Sequence, residues 1–262
     1  MEDTYTHGHQ EAVLRSHRWR TAANSAGYLL PHLRPGCDLL DVGCGPGTIT
    51  RELASAVAPG RVVGVDREPS VLEEARRTSG GPVEFQIGDV YRLDFEDASF
   101  DVVHAHQLLQ HLSDPVSAVM EMRRLLRPGG LLAVRDADYG AFVWHPTDGR
   151  LDRWRELYTS VCARNGAQAD AGRRLPSWVT AAGFRHLDVS SSTWTFADLD
   201  ARRWWAGTWA ERTLGSSFAQ QALDYGLSTR GEMEAIAAGW RDWAERTDGV
   251  FVVVHIEVLA PS

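Results

Sequence analysis

The stretch Asp41-Val42-Gly43-Cys44-Gly45-Pro46-Gly47 sets a carboxylate two residues ahead of three alternating glycines. Glycine lets a backbone come close to a ligand. Thr48 then opens a helical pattern, whose first N–H groups and positive dipole end face the same space. That layout suits a nucleotide-like ligand bearing a carboxylate or phosphate, and Asp41 is placed to hold an ammonium group. The spacing is Gly-x-Gly-x-Gly, not the Gly-x-Gly-x-x-Gly of a dinucleotide turn. Two more acids follow apolar runs. Asp66 closes Arg61-Val62-Val63-Gly64-Val65, ~20 residues after the turn, where a carboxylate can accept both hydroxyls of a ribose. It can equally cap the helix opened by Glu68-Pro69-Ser70. Asp89 follows Pro82-Val83-Glu84-Phe85-Gln86-Ile87 and reads on its own as a turn aspartate.

The elements that must position these residues alternate between strand and helix. Leu39–Val42, Arg61–Asp66, Pro82–Ile87, Ser99–Gln107 and Leu131–Val134 read as strands, the second almost continuously apolar, as in a sheet covered on both faces. Helices are expected from about Thr48 to Val57, after Glu68, and after the cap Ser113-Asp114-Pro115. Five β–α units predict a doubly wound, mostly parallel α/β sheet. Its ligands bind beyond the carboxyl ends of the strands, the edge that collects Asp41 through Gly47, Asp66, Asp89 and His106. Before this core, Thr4 to Leu33 reads as one or two helices. After it, Phe142–Pro146 reads as a loop, Leu151–Cys162 and Ala171–Ala182 as helices, and Phe184–Phe196 as a strand. Tryptophan-rich helices come next, the last with a Thr229/Glu232 capping box. The final strand, Val250–Ile256, is expected to pair antiparallel with the Phe184 strand. No linker or repeat is visible, so one domain is expected: a helical N-terminal lid over 1–33, a ligand-binding core over 34–137, and a substrate-side insert with closing strands over 138–262.

The run from the glycine turn to Arg127-Pro128-Gly129-Gly130 and Leu131–Val134 resembles the class I S-adenosylmethionine-dependent methyltransferases. In pattern it is similar to the ubiquinone/menaquinone-biosynthesis type. The resemblance covers roughly Pro35 to Val134 and implies a Rossmann-like methyltransferase fold with S-adenosyl-L-methionine as cofactor. It implies that Asp41, Gly43, Cys44, Gly45 and Gly47 cradle the amino-acid part, that Asp66 with Arg67 meets the ribose, and that Asp89 bonds the adenine amino group with Val90 against the purine. His106 would lie beside the methyl group. Leading helices in such enzymes often lie over the cofactor, so Tyr5, His9 and Arg20 can reach it. After Asp136 the pattern departs from the quinone enzymes, and their pathway does not carry over.

Methyl transfer needs alignment and exclusion of water; a base helps only where the acceptor must lose a proton. The candidates for that base are His106, His111 and Asp138, with Tyr139 orienting, and Gln107 lies beside them. His104, His106 and His111 mimic a metal cluster but have no acid at ligand spacing, so no metal is expected. Trp205 and Trp209 share a helix face, as do Trp240 and Trp243. They either pack helices on the sheet or, with Trp144 and Tyr139, wall a flat acceptor, whose acidic group Arg173 and Arg174 could meet.

Composition narrows the field. A net charge of -8 argues against a broad nucleic-acid face. All 27 lysine-plus-arginine positions are arginine. With no lysine, Schiff-base chemistry, phosphate-loop nucleotide hydrolysis and Tyr-x-x-x-Lys dehydrogenases are disfavoured. The 3 cysteines are sparse and lack metal spacing, pointing to a reducing cytoplasm. Met1-Glu2-Asp3-Thr4-Tyr5 is unlike a signal or transit peptide, and no apolar run approaches a membrane span. The expected protein transfers a methyl group to an O, N or C atom of a small aromatic or hydrophobic molecule, with a homodimer left open. The alternatives are a cofactor-binding isomerase or cyclase that uses the sulfonium charge, and a non-catalytic binding protein.

Overall fold

Apolar strand runs and amphipathic helices alternate up to the strand that ends at Ala137, after which the strands that follow are joined in antiparallel pairs. The computed structural model describes residues 3–8 and 10–262. Its strands are β1 Leu39–Val42, β2 Val62–Asp66, β3 Val83–Ile87, β4 Phe100–His106, β5 Leu126–Ala137, β6 Val143–His145, β7 Asp188–Phe196 and β8 Val250–Pro261. They form one sheet in the order β3-β2-β1-β4-β5-β8-β6, with β7 also on β8. The first five are parallel, and β8 is antiparallel to β5, β6 and β7. The doubly wound α/β expectation therefore holds.

The helices are α1 Glu11–Arg18, α2 Ala22–Ser25, α3 Thr48–Val57, α4 Pro69–Thr78, α5 Pro115–Leu125, α6 Gly149–Arg164, α7 Ala171–Ala181, α8 Leu199–Gly215, α9 Ser217–Asp224 and α10 Arg230–Ala244. Local signals explain several boundaries. Asp114 caps α5 by accepting from Ser117 N at 3.1 Å, with Pro115 in the first turn. Thr229 caps α10 by accepting from Glu232 N at 3.2 Å. The capping box is only half made, because the Glu232 carboxylate goes to Arg153 and Ser228 instead.

Three expectations need correction. Val143–His145 is a short strand, not a loop. β5 begins at Leu126, pairs Phe100, and resumes at Leu131 opposite Val102 after an irregularity. The strand expected from Phe184 begins at Asp188.

A strand has only two hydrogen-bonding edges. β7 takes one edge of β8 over residues 251–259, so β5 and β6 must share the other. Between them the chain leaves the sheet at Asp138 and returns at Val143, and that detour carries Tyr139 to the site. Beneath it, Trp154, Trp209 and Trp240 pack edge to face at 4.5 and 4.9 Å, all at most 1% exposed. Phe251 of β8 seats this aromatic layer on the sheet.

Candidate active site

The glycine turn is built by positive φ. Gly43, Gly45 and Gly47 sit at φ 71, 54 and 73°, a region L-residues avoid. Gly43 N and Cys44 N donate to Val65 O at 2.8 and 3.0 Å, tying the turn to β2. A side chain at Gly45 would point into open space beside His17. At Gly47 a Cβ would lie 2.6 Å from Phe85 Cζ. Gly47 therefore serves packing and helix entry, and unlike the other turn residues expected at the ligand it does not line the cavity above the turn.

That cavity has about 140 Å³ of water-accessible space. It brings together Tyr5, Asp41, Gly43, Cys44, Gly45, Asp66, Arg67, Asp89, Val90, His106 and His111. The three acids come from the carboxyl ends of neighbouring strands, as register Asp41↔Gly64 and β2–β3 pairing dictate. Asp41 is buried and held from behind: Oδ2 accepts from Thr50 Oγ1 at 2.6 Å, and Oδ1 lies 2.7 Å from His104 Nδ1. Asp66 Oδ2 accepts from Gly45 N at 2.9 Å and Oδ1 from Glu68 N at 3.0 Å. Asp89 Oδ1 accepts from Tyr91 N at 3.0 Å. Burial pushes the Cys44 thiol well up, so it offers no thiolate.

The N-terminal segment closes one side. Asp3 Oδ1 and Oδ2 accept from Ser113 N and Tyr91 Oη, both at 2.8 Å. Tyr5 meets the His111 ring edge-on at 4.8 Å. Burial drives the Tyr5 phenol up to about 12. His9, expected to reach the cavity, lies outside the described residues.

A second cavity adjoins the first, with about 20 Å³ of such space, room for roughly one water as it stands. Tyr139, Trp205 and Trp209 line it with Trp19, Trp194 and Arg212, and His7, Arg20 and Gln107 face both cavities. Tyr139 stacks on Tyr158 at 4.3 Å and on Phe142 at 4.5 Å.

The histidines at this junction are neutral. Burial holds His106 well below its ordinary value, and the Arg135 and Arg20 charges add to this. Its Nε2 is buried without a partner. Burial likewise lowers His111 to about 3.

Four expected site residues, Asp138, Arg173, Arg174 and Trp144, are elsewhere. The buried Asp138 carboxylate is engaged by Arg173: Oδ2 accepts from Nε at 2.7 Å, Oδ1 from Nη2 at 2.6 Å, and Oδ2 again from Arg173 N at 3.1 Å. It lines neither cavity, so it does not fit the role of base, and Arg173 is not free for an acceptor. Arg174 is exposed on α7. Trp144 stacks on Phe251 at 5.5 Å beneath the Arg155 guanidinium, outside both cavities, as part of the core. Asp3, His7, His17 and Arg212 were missed. Arg212 had a signal: it stands one helical turn after Trp209 and shares its face. Among the described residues, no group of His, Cys, Asp and Glu gathers in metal-holding fashion.

A methyltransferase-domain model matches residues 40–134. An uncharacterised methyltransferase of Schizosaccharomyces pombe is 30% identical over 97% of this chain and 95% of its own length. The chain belongs to the class I S-adenosylmethionine-dependent methyltransferases. Two solved structures share the fold of this methyltransferase. The YcgJ protein of Bacillus subtilis is 20% identical with a TM-score of 0.56, over 90% of this chain and 97% of its own. Phosphoethanolamine N-methyltransferase 2 of Haemonchus contortus, solved with S-adenosylhomocysteine, is 19% identical with a TM-score of 0.53, over 87% of this chain and 50% of its own. The first cavity of the methyltransferase fits the cofactor chemically. A side-chain-free turn gives close approach, and three oriented carboxylates line the same space, a set of acceptors suited to a ligand rich in N–H and O–H donors. No described helix is long and apolar enough to cross a membrane.

Proposed function

We propose that this methyltransferase delivers its methyl group to an O, N or C atom of a small, hydrophobic acceptor lodged among the tryptophans of the second cavity. The observation that carries this reading is the shared wall: His7, Arg20 and Gln107 belong to both cavities. An acceptor there abuts the cofactor site and lies among indole and phenol rings that exclude water. It enters by displacing the outer wall, where Trp19 is 36% exposed.

On this reading S-adenosylmethionine is held by Asp41 and the backbone of Gly43, Cys44 and Gly45 at the amino-acid end. Asp66 and Arg67 hold the ribose, and Asp89 and Val90 the base, with Tyr5 covering them. Bound there, it supplies an electrophilic methyl group on a sulfonium. The chain's own residues orient the acceptor and keep water out. His106 sits at the junction as a neutral acceptor of hydrogen bonds and takes up a proton poorly because it is buried, with the Arg135 and Arg20 charges adding to the effect. Acceptors that need little help in losing a proton therefore suit the site best. An O-methyltransferase of Aspergillus sclerotiorum, 32% identical over 59% of this chain, supports an oxygen acceptor.

The test pairs calorimetry with label transfer. S-Adenosylmethionine and S-adenosylhomocysteine should bind, and Asp66→Ala should weaken both on the order of 30-fold, the loss of a charged hydrogen-bonding partner. Tritiated methyl should appear in members of a phenol, amine and enol panel. Binding without any label transfer would favour a charge-steered cyclase instead.

A further inference from the structure

The second cavity holds two cations and no anion among the described residues. Arg212 is 4% exposed. One of its Nη atoms donates to Val13 O at 3.3 Å and to Ser16 Oγ, and its Nε is buried with no partner. Arg20 donates from Nη2 to Gln107 Oε1 at 2.7 Å, and its Nε is likewise buried and unpartnered. Neither guanidinium makes an ion pair with a described residue. Arg15, beside Arg212, is paired with Glu211 at 2.8 Å, and Arg135 with Glu257 at 3.1 Å.

Nothing else in the chamber compensates. The phenols of Tyr5, Tyr139 and Tyr158 are pushed up by burial and carry no charge at neutral pH. His7 is neutral and takes Tyr158 Oη at 2.9 Å. Asp136 feels Arg20 but is buried outside both cavities, its carboxyl raised to about 7. Buried arginines in proteins are normally paired, because an isolated charge is costly to desolvate. Here one buried guanidinium, Arg212, and one half-buried, Arg20, share one small aromatic chamber, which is a standing cost unless something negative enters.

Resting on the function proposed above, we propose that the acceptor carries a carboxylate, bound between Arg20 and Arg212, with its flat apolar body against Trp205, Trp209 and Tyr139. A guanidinium fork matches the planar two-oxygen geometry of a carboxylate. The Arg212 guanidinium lies 5.1 Å from the Trp209 ring and that of Arg20 5.8 Å from Trp194, so charge and ring wall are presented together. Arg20 also faces the cofactor cavity, which sets the bound acid beside the reacting centre.

The probes are sodium benzoate, methyl benzoate, benzamide and inorganic phosphate. Each is titrated by calorimetry and thermal melting into the full chain saturated with S-adenosylhomocysteine, at constant ionic strength. Benzoate should bind on the order of 30-fold tighter than its neutral ester and amide. Arg212→Met should erase that preference, Arg212→Lys should restore part of it, and affinity for S-adenosylhomocysteine should stay unchanged. If the methionine variant does not fold, the benzoate-to-ester ratio of the unmodified protein decides. Equal binding of benzoate and its ester, or no binding of benzoate, overturns the carboxylate site while leaving the methyltransferase reading intact. Phosphate binding as well as benzoate overturns the planar acid in favour of a general oxyanion. Failure to bind S-adenosylhomocysteine strikes the cofactor site instead.

Discussion

Gln107 Oε1 accepts from Arg20 Nη2 at 2.7 Å, while Gln107 Nε2 lies 2.8 Å from His255 Nε2. One amide therefore ties the N-terminal segment to β8 across the end of β4. Gln107 does this from a left-handed backbone, φ 50°, a conformation that costs a non-glycine residue about 1 kcal/mol. Gln107→Gly should relieve that strain but unmake both amide bonds, so the melting temperature should stay equal or fall slightly. It should also free Arg20 and raise KM for the acceptor severalfold. A melt and steady-state kinetics on one preparation would check both; a sharply lower melting temperature with unchanged KM would show that the amide serves only the fold.

The glycine turn predicts a split between two neighbours. Gly47→Ala places a methyl against Phe85 at a positive φ, which should destabilise the fold by about 1–3 kcal/mol. Gly45→Ala meets no wall, only the space above the turn. It should cost about 1 kcal/mol of stability but reduce cofactor affinity more than Gly47→Ala does in the folded fraction. Denaturant melts and calorimetry separate the two effects.

Stability should fall in mild acid. His7, His106, His111 and His255 all have folded values lowered by burial below the ordinary 6.5. The unfolded chain therefore binds more protons than the folded one below pH 6.5, and stability drops as the pH falls through it. The loss is about 1 kcal/mol per histidine per pH unit. Asp136 acts oppositely: its carboxyl, raised to about 7, regains stability as the pH falls from 7. One carboxyl against four imidazoles leaves a net loss, readable in melts between pH 7 and pH 5.

The same neutrality bears on catalysis. His106→Gln should lower kcat by less than about tenfold, because a general base would be worth about 100-fold or more. A pH–rate profile with a limb near 6.5 that vanishes in this variant would contradict that outcome.

Asp138→Asn tests a structural assignment. The variant keeps the shape but removes the charge that Arg173 grips in two places. A loss of about 1–3 kcal/mol in stability is expected, with methyl transfer by the folded fraction little changed. A collapse of kcat without a change in melting would return Asp138 to the chemistry.

Much of the site could be read from local sequence. Three alternating glycines demand positive φ, and an acid at the end of an apolar run falls on the ligand edge wherever strands are parallel. Those rules act within a few residues of each other, and Asp41, Asp66 and Asp89 obey them. The second cavity was harder for a physical reason. Arg20 and Arg212 come from opposite ends of the chain and meet only because α1 packs on α8. Among 27 basic residues, all arginine, sequence does not show which ones find a carboxylate partner. Arg173 does, and Arg212 does not. Trp144 misled similarly: an indole looks the same in sequence whether it walls a ligand or stacks on Phe251.

The wall common to the two cavities has a thermodynamic corollary. Any occupant that reseats Arg20 or Gln107 alters the neighbouring compartment too. Linkage then requires that whatever factor the nucleoside lends the acid's affinity, the acid must return to the nucleoside. On the proposed reading, any synergy or antagonism between the two ligands is therefore equal in both directions, carried by three side chains that neither owns alone.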